Sequence, residues 1–410
     1  MNRKKQHAPL KYFQVKNNIL QIGDQSLTRL ISTIGRTPFY AYDRNVITEK
    51  VTHLRKLLPD GIKLHYAMKA NPMPEIVQHM AGLVDGLGVA SAGELEVALT
   101  TATKPYNISF AGPGKREEEL SYAIRAGIII NMESEREMRT IAEIASQSGI
   151  KAKVAIRVNP DFELKLSGMK MGGRATQFGV DAERVPELLK QLDRFGLDFY
   201  GFHIFSGSQN LLSEAIIEAH NKTIDLALQL SEHAPGMIRL LNIGGGFGIP
   251  YFPGDEYLDV APIADNLKNL LPAITNKLPD AEVVIELGRY FVGEAGIYVC
   301  QILDKKVSRG QVFLITDGGL HHHLAASGNF GQVIRKNYPV AIGNRMENTD
   351  QEVVNIVGPL CTPLDTLADK MLLPKANAGD YVVVFQSGAY GFTASPTAFL
   401  SHPNAVEVLV

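Results

Sequence analysis

A lysine delivered to a loop mouth by a strand is a candidate covalent amine, able to form a Schiff base with a carbonyl group. Lys69 has that setting: Ile62, Leu64, Tyr66 and Met68 alternate with period two, and Asn71-Pro72 then turns the chain into the next helix. Alone, the segment fits a solvated surface lysine better than a reactive one. Two later segments reverse that balance. Leu241-Asn242-Ile243-Gly244-Gly245-Gly246-Phe247-Gly248 reads as a strand running into a glycine loop, whose unobstructed backbone N–H groups could cradle a phosphate. Val283-Val284-Ile285-Glu286-Leu287-Gly288-Arg289 places an acid at the end of another apolar strand and an arginine three residues on. A Schiff-base lysine, a phosphate cradle, a phosphate-pairing arginine and a carboxylate for a pyridine nitrogen together describe a pyridoxal phosphate site.

Positioning these groups requires an alternating scaffold. Between residues 62 and 290, apolar strands alternate with amphipathic helical stretches; strands are expected at 62–69, 84–90, 107–111, 128–132, 152–158, 199–205, 239–243 and 282–286. Eight strands in that length fit a (β/α)8 barrel, whose chemistry gathers at the strand C-terminal ends, and Lys69, Ser91, Arg157, His203, Gly244 and Glu286 all fall there. A doubly wound open sheet would not spread such residues from first strand to last. The rest of the chain is β-rich: a hairpin over 12–22 turning at Asn17-Asn18, and segments 296–315, 351–357, 380–386 and 405–410. The expected organisation is an N-terminal segment, 1–45, lending strands to a β domain at 291–410, with the barrel over 46–290.

Composition is that of a soluble globular enzyme, 45% hydrophobic and 20% charged with a formal charge of −2, and carries no nucleic-acid or membrane signature. The basic start Arg3-Lys4-Lys5 is not followed by a signal-peptide core, so a cytoplasmic location is expected. Two cysteines, Cys300 and Cys361, are too few for a disulfide framework.

With these residues assembled, the chain resembles the fold-type III pyridoxal phosphate decarboxylases, the diaminopimelate, ornithine and arginine decarboxylase family, from about residue 36 to its end. The motifs carrying the resemblance are Tyr66-Ala67-Met68-Lys69-Ala70-Asn71, Val89-Ala90-Ser91-Ala92-Gly93-Glu94-Leu95, Gly207-Ser208-Gln209, Gly244-Gly245-Gly246, Glu286-Leu287-Gly288-Arg289, Cys361 and Gly388-Ala389-Tyr390. The resemblance implies an alanine-racemase-like barrel followed by a C-terminal β domain, a β-sandwich or barrel. It also implies that Lys69 binds the cofactor covalently, that Ser208, Gly245, Gly246, Arg289 and Tyr390 bind its phosphate, that Gly288 is a further cofactor-binding residue, and that Glu286 keeps the pyridine nitrogen protonated. A protonated ring is an electron sink, which favours decarboxylation over racemisation. Cys361 would return a proton to the carbon that loses carbon dioxide, acting across the seam of a homodimer with shared active sites. His203, Arg289, Thr362 and Tyr390 would meet the substrate.

Three departures from the family pattern matter. Phe205 stands where relatives usually stack a histidine on the ring; an aromatic face still stacks. Gly88 stands where relatives often carry an aspartate near the Schiff base. Thr362 follows the cysteine, where relatives acting on free diamino acids place an acid that pairs with the distal ammonium. Asp365 belongs to the framework of that segment. A substrate without a free distal ammonium is therefore expected, such as an aminoacyl thioester on an acyl carrier protein. Together with the run Asp317-Gly318-Gly319-Leu320-His321-His322-His323, this resembles the branch holding the glutamyl-carrier-protein decarboxylase of butirosin biosynthesis and the exosortase-associated decarboxylases.

Consecutive histidines point in different directions, so His321–His323 are expected to line the substrate entrance or pack at the dimer seam, with no metal site. Lys115-Arg116-Glu117-Glu118-Glu119 reads as the solvated first turn of a barrel helix. The polar stretch 161–177 is expected to be a mobile loop near the mouth. A pyridoxal phosphate carrier without chemistry would not need the β domain, Cys361 or Tyr390. A metal-dependent hydrolase would leave Lys69 and the triple glycine unexplained.

Overall fold

The computed structural model describes residues 7–162, 169, 170, 172–332 and 334–410. The chain forms two compact units: residues 50–248 with 258–288, and residues 1–49 with 249–257 and 289–410. The segment Ile249–Tyr257, inside the span expected for the barrel, groups with the β-rich unit.

In the first unit the eight expected strands are all present, as β1 (Ile62–Ala67), β2 (Gly86–Val89), β3 (Ile108–Phe110), β4 (Ile129–Met132), β5 (Lys153–Asn159), β6 (Asp198–Ile204), β7 (Leu240–Gly245) and β8 (Glu282–Leu287). Each pairs in parallel with the next, β8 pairs with β1, and the β4–β5 pairing completes a closed barrel. An open doubly wound sheet is thereby excluded. Strand β1 stops two residues short of expectation: Met68–Ala70 form a 3-10 turn held by the Asn71 N–H on the Met68 carbonyl, so Lys69 sits on the turn itself. Ile129, Ala155, Leu240 and Val284 form an apolar cluster inside the barrel. Around this cluster the inward positions also carry small or polar residues, among them Gly86, Gly88, Ser109, Asn131 and Asn242, with Ser109 paired directly to Ile129.

Helices between the strands start where the sequence supplies caps. Ser91 and Ser134 accept N–H bonds from Glu94 and Glu137, and Gly127 and Gly149 end their helices in the left-handed conformation. Glu117–Ala126 is the helix expected from the charged run, and Glu119 Oε2 accepts the Arg116 N–H at 3.1 Å at its start. Lys115 is not solvated, however. Its side chain is 1% exposed, and Nζ meets Glu137 at 2.6 Å and the carbonyls of Gly112 and Asn131.

The second unit is built around the 13-residue strand Gly296–Ser308, which pairs with Phe39–Tyr42, Tyr381–Val384 and Gln311–Thr316. Val406–Leu409 lies parallel to Phe39–Tyr42, so both ends of the chain enter one mixed sheet. The hairpin of Val15–Lys16 and Ile19–Ile22 turns at Asn17 and Asn18, both at positive φ. Leu20, Ile22, Leu27, Phe39, Ile297, Val299, Val383 and Phe385 form the core beneath. Val340–Ile342 and Thr366–Pro374 are strands the sequence reading did not name. Part of the stretch 161–177, residues 163–168 and 171, lies outside the described residues. No helix among the described residues is long and apolar enough to cross a membrane.

Candidate active site

At the C-terminal mouth of the barrel, Lys69 is exposed, with Nζ 5.9 Å from the centre of the Phe205 ring. Its turn packs on the exit of β8 because Gly288 has no side chain. A Cβ there would lie 2.8 Å from Ala70 Cβ and 3.0 Å from the Ala67 carbonyl oxygen. Glu286 reaches inward from β8, and Asn242 Nδ2 on neighbouring β7 donates to its Oε2 at 3.0 Å.

Strand β7 breaks register with β8 between Asn242 and Gly245, a bulge after which Gly245 pairs with Glu286. Gly244 and Gly246 have φ of +74° and +77°, a conformation that favours glycine. Close approach adds a second reason: a Cβ on Gly245 would lie 2.3 Å from the Glu286 carbonyl oxygen, and one on Gly246 would lie 2.2 Å from that of Gly207. The Asn210 N–H donates to the Gly246 carbonyl at 2.9 Å, fastening the loop to the Gly207-Ser208 segment. Such a cradle of bare backbone suits a phosphate.

His203 shares the inner register of Arg157 and Asn242. Burial, then the charges of Arg157, Lys69 and Lys115, hold its imidazole well below the usual histidine range, so it is neutral near pH 7. Arg157 is itself engaged: Nη1 meets Glu133 at 3.0 Å, and its guanidinium lies 4.8 Å from the Phe178 ring. Glu133 also accepts the N–H groups of Gly112 and Gly179. Sequence reasoning overlooked Glu133, although the signal was present: it directly follows β4, at a strand mouth like those of the residues it did single out.

Within the second unit, Arg289 Nη1 donates to the Tyr251 hydroxyl at 2.9 Å, and its guanidinium lies 4.7 Å from the Tyr390 ring. Tyr338 packs on Tyr251 with ring centres 4.7 Å apart. Arg289 Nε is buried and has no hydrogen-bond partner among the described residues. An orphaned guanidinium nitrogen beside phenols is chemistry suited to an anion. Tyr251 escaped the sequence reading, since nothing in Pro250-Tyr251-Phe252 marks it.

Cys361 is exposed and Cys300 is buried in the sheet. Asp365 organises the cysteine segment. Its Oδ2 accepts the Leu360 N–H at 2.8 Å and its Oδ1 the Leu320 N–H at 2.6 Å, so one buried carboxylate ties the Cys361 turn to the histidine run. Thr362 turns its hydroxyl to the Leu364 N–H at 3.3 Å. The histidines diverge: His322 bonds the Tyr298 hydroxyl and the Pro403 carbonyl, His323 bonds the Ser387 hydroxyl, and neither ring nitrogen of His321 has a partner among the described residues. All three are buried rather than facing an entrance within this unit.

A closed parallel barrel with a lysine, a glycine loop and an inward acid at its mouth defines an alanine-racemase-like, pyridoxal phosphate-dependent class of enzyme. The pattern described as "Pyridoxal-dependent decarboxylase, pyridoxal binding domain" matches residues 44–293, and the chain belongs to this family of pyridoxal phosphate-dependent decarboxylases. It is 37% identical to the L-glutamyl-[BtrI acyl-carrier protein] decarboxylase of Niallia circulans, over 94% of this chain and 91% of that protein. It is 35% identical to the diaminopimelate decarboxylase of Aquifex aeolicus, over 97% and 92% of the two chains. The crystal structure of diaminopimelate decarboxylase from Helicobacter pylori complexed with L-lysine superposes with a TM-score of 0.82 at 29% identity, covering 93% of this chain and 94% of that one. The protein is accordingly a carboxy-lyase that removes the carboxyl group of an amino acid or aminoacyl conjugate with pyridoxal phosphate.

Proposed function

We propose that the substrate is an aminoacyl conjugate without a free distal ammonium, a glutamyl thioester on an acyl carrier protein being the leading candidate, and that the enzyme works as a cytoplasmic homodimer. One observation carries the substrate reading: Thr362, the residue after Cys361, brings no charge and commits its hydroxyl to the Leu364 N–H. A buried ammonium facing it would be unpaired, at a cost of several kcal/mol, on the order of three decades in specificity. The 37% identity to a glutamyl-carrier-protein decarboxylase supports the same reading. An exposed free thiol, Cys361, fits a reducing compartment.

The residues then divide the work. Bound pyridoxal phosphate supplies an electron sink for the pair left by departing carbon dioxide. Lys69 holds the cofactor through its amine and moves a proton at Nζ. Gly245, Gly246 and Ser208 from the barrel, with Arg289 and Tyr390, hold the phosphate. Glu286 keeps a proton at the ring nitrogen, and Phe205 offers an apolar face to the ring. Cys361 delivers a proton to the substrate carbon from the partner subunit. His203, neutral and inward, accepts or donates a hydrogen bond without adding charge beside the substrate.

The test is carbon dioxide release from purified enzyme given free glutamate, lysine, ornithine, diaminopimelate and glutamate loaded on a carrier protein. Turnover of the loaded carrier with poor turnover of the diamino acids is expected. An ordinary specificity constant for diaminopimelate would overturn the argument from Thr362.

A further inference from the structure

Three strands converge on the Glu286 carboxylate. Asn242 Nδ2 donates to Oε2 at 3.0 Å from β7. The Asn242 amide cannot turn over, because its Oδ1 accepts the Gly244 N–H at 2.9 Å; the reverse orientation would set oxygen against carboxylate and NH2 against N–H. From the other side, the carboxylate lies across β1 onto β2. A Cβ on Gly88 would stand 2.7 Å from Oε1, 2.8 Å from Cδ and 3.0 Å from Oε2, in space that the acid itself occupies. Asn242 is buried, at 1% exposure, so its two bonds face little competition from water.

We propose that Asn242 and Gly88 are positioning residues that clamp Glu286: Asn242 fixes the carboxylate through a neutral donor and ties it to the glycine loop, and Gly88 is the vacancy that lets it lie there. The choice of groups has a chemical consequence. An arginine or lysine in place of Asn242 would neutralise the acid, whereas an amide donor orients it and leaves its full charge for a protonated ring nitrogen. One amide also sets the distance between the acid and the phosphate-cradling backbone, since both ends of the Asn242 side chain are used. The absence of a side chain at Gly88 thus has a use in this chain: an aspartate there would displace the acid and repel it. The proposal rests on the role of Glu286 given above.

Two substitutions spare the loop and attack the clamp differently. Asn242→Asp keeps the acceptor for the Gly244 N–H but replaces the donor to Glu286 by a like charge. Gly88→Ala keeps both Asn242 bonds but puts a methyl group where the carboxylate lies. Both should lower kcat about 10- to 100-fold, change KM and cofactor affinity less than threefold, and alter the visible absorption of the holoenzyme and its pH dependence in the same sense. The double variant should be little worse than either single one. Asn242→Ala should in addition weaken cofactor affinity, because the loop loses its tether. Crystal structures of the cofactor-free variants read the clamp independently of the reaction: the Glu286 carboxylate should be displaced in Gly88→Ala and Asn242→Asp. A carboxylate unmoved in both overturns the clamp. A displaced carboxylate with unchanged kcat and absorption overturns its positioning function, and unchanged kcat in Glu286→Gln traces that failure to the role of Glu286.

Discussion

The barrel mouth and the cluster around Arg289 handle the same problem, holding a charged group ready, in opposite ways. At the mouth the structure removes side chains: Gly88, Gly245, Gly246 and Gly288 each stand where a Cβ would strike backbone or the Glu286 carboxylate. Around Arg289 it adds them, with Tyr251, Tyr390 and Tyr338 forming an aromatic wall against one guanidinium. Subtraction leaves bare backbone, fixed by the fold and indifferent to rotamer choice. Addition gives a single cation whose reach is set by packing, at the expense of burying a charge. The first arrangement tolerates almost no substitution, and the second should tolerate loss of one ring.

The largest expected effect belongs to Lys69. Lys69→Ala should abolish turnover, by about four decades or more, and remove the visible absorption of the holoenzyme. A borohydride-trapped cofactor adduct persisting in that variant would assign the amine elsewhere. Next comes Glu286→Gln, which takes charge from the mouth without adding bulk. A loss of about two to four decades in kcat with cofactor affinity nearly retained is expected, and equal losses in both would make Glu286 part of the cradle.

The other unit is probed by complementation. Mixed with subunit exchange confirmed, Lys69→Ala and Cys361→Ala should regain up to about a quarter of wild-type activity, because each hybrid dimer rebuilds one complete site. No recovery would place Cys361 and Lys69 of the same chain together.

The smallest effect concerns His220, behind the glycine loop. It is buried, neither ring nitrogen has a partner among the described residues, and burial lowers its pKa from 6.5 to about 4. Between those values the unfolded chain binds the extra proton, so stability is present above pH 6.5 and is lost as pH falls towards 4. Denaturant unfolding of the cofactor-free protein should show His220→Leu losing less stability than wild type across that window, by at most on the order of 3 kcal/mol. Parallel pH profiles would mean that the imidazole finds a partner in solution.

Periodicity and turn chemistry were legible because they are local. The alternation in 62–68, the paired asparagines at 17 and 18 and the serine caps at 91 and 134 each act within a few residues. Thr366–Pro374 was hidden because Asp369 and Lys370 interrupt its apolar pattern, and Lys370 takes a positive φ where the ladder shifts register. Lys115 was misread as solvated for a related reason: its partner Glu137 lies on the next helix, at a distance the charge run does not encode.

The sequence by itself determined the order of the eight barrel strands, the residue types gathered at their C-terminal ends and the family to which the chain belongs, since each is a matter of residue type at a spacing of a few positions. Tertiary structure alone decided that Asn242 and Gly88 meet at Glu286, that Glu133 takes up Arg157, and that Tyr251 stands against Arg289. These partners are 44, 198, 24 and 38 residues apart along the chain. Only closing the barrel and folding each unit brings them within the few ångströms over which a hydrogen bond or a steric clash acts.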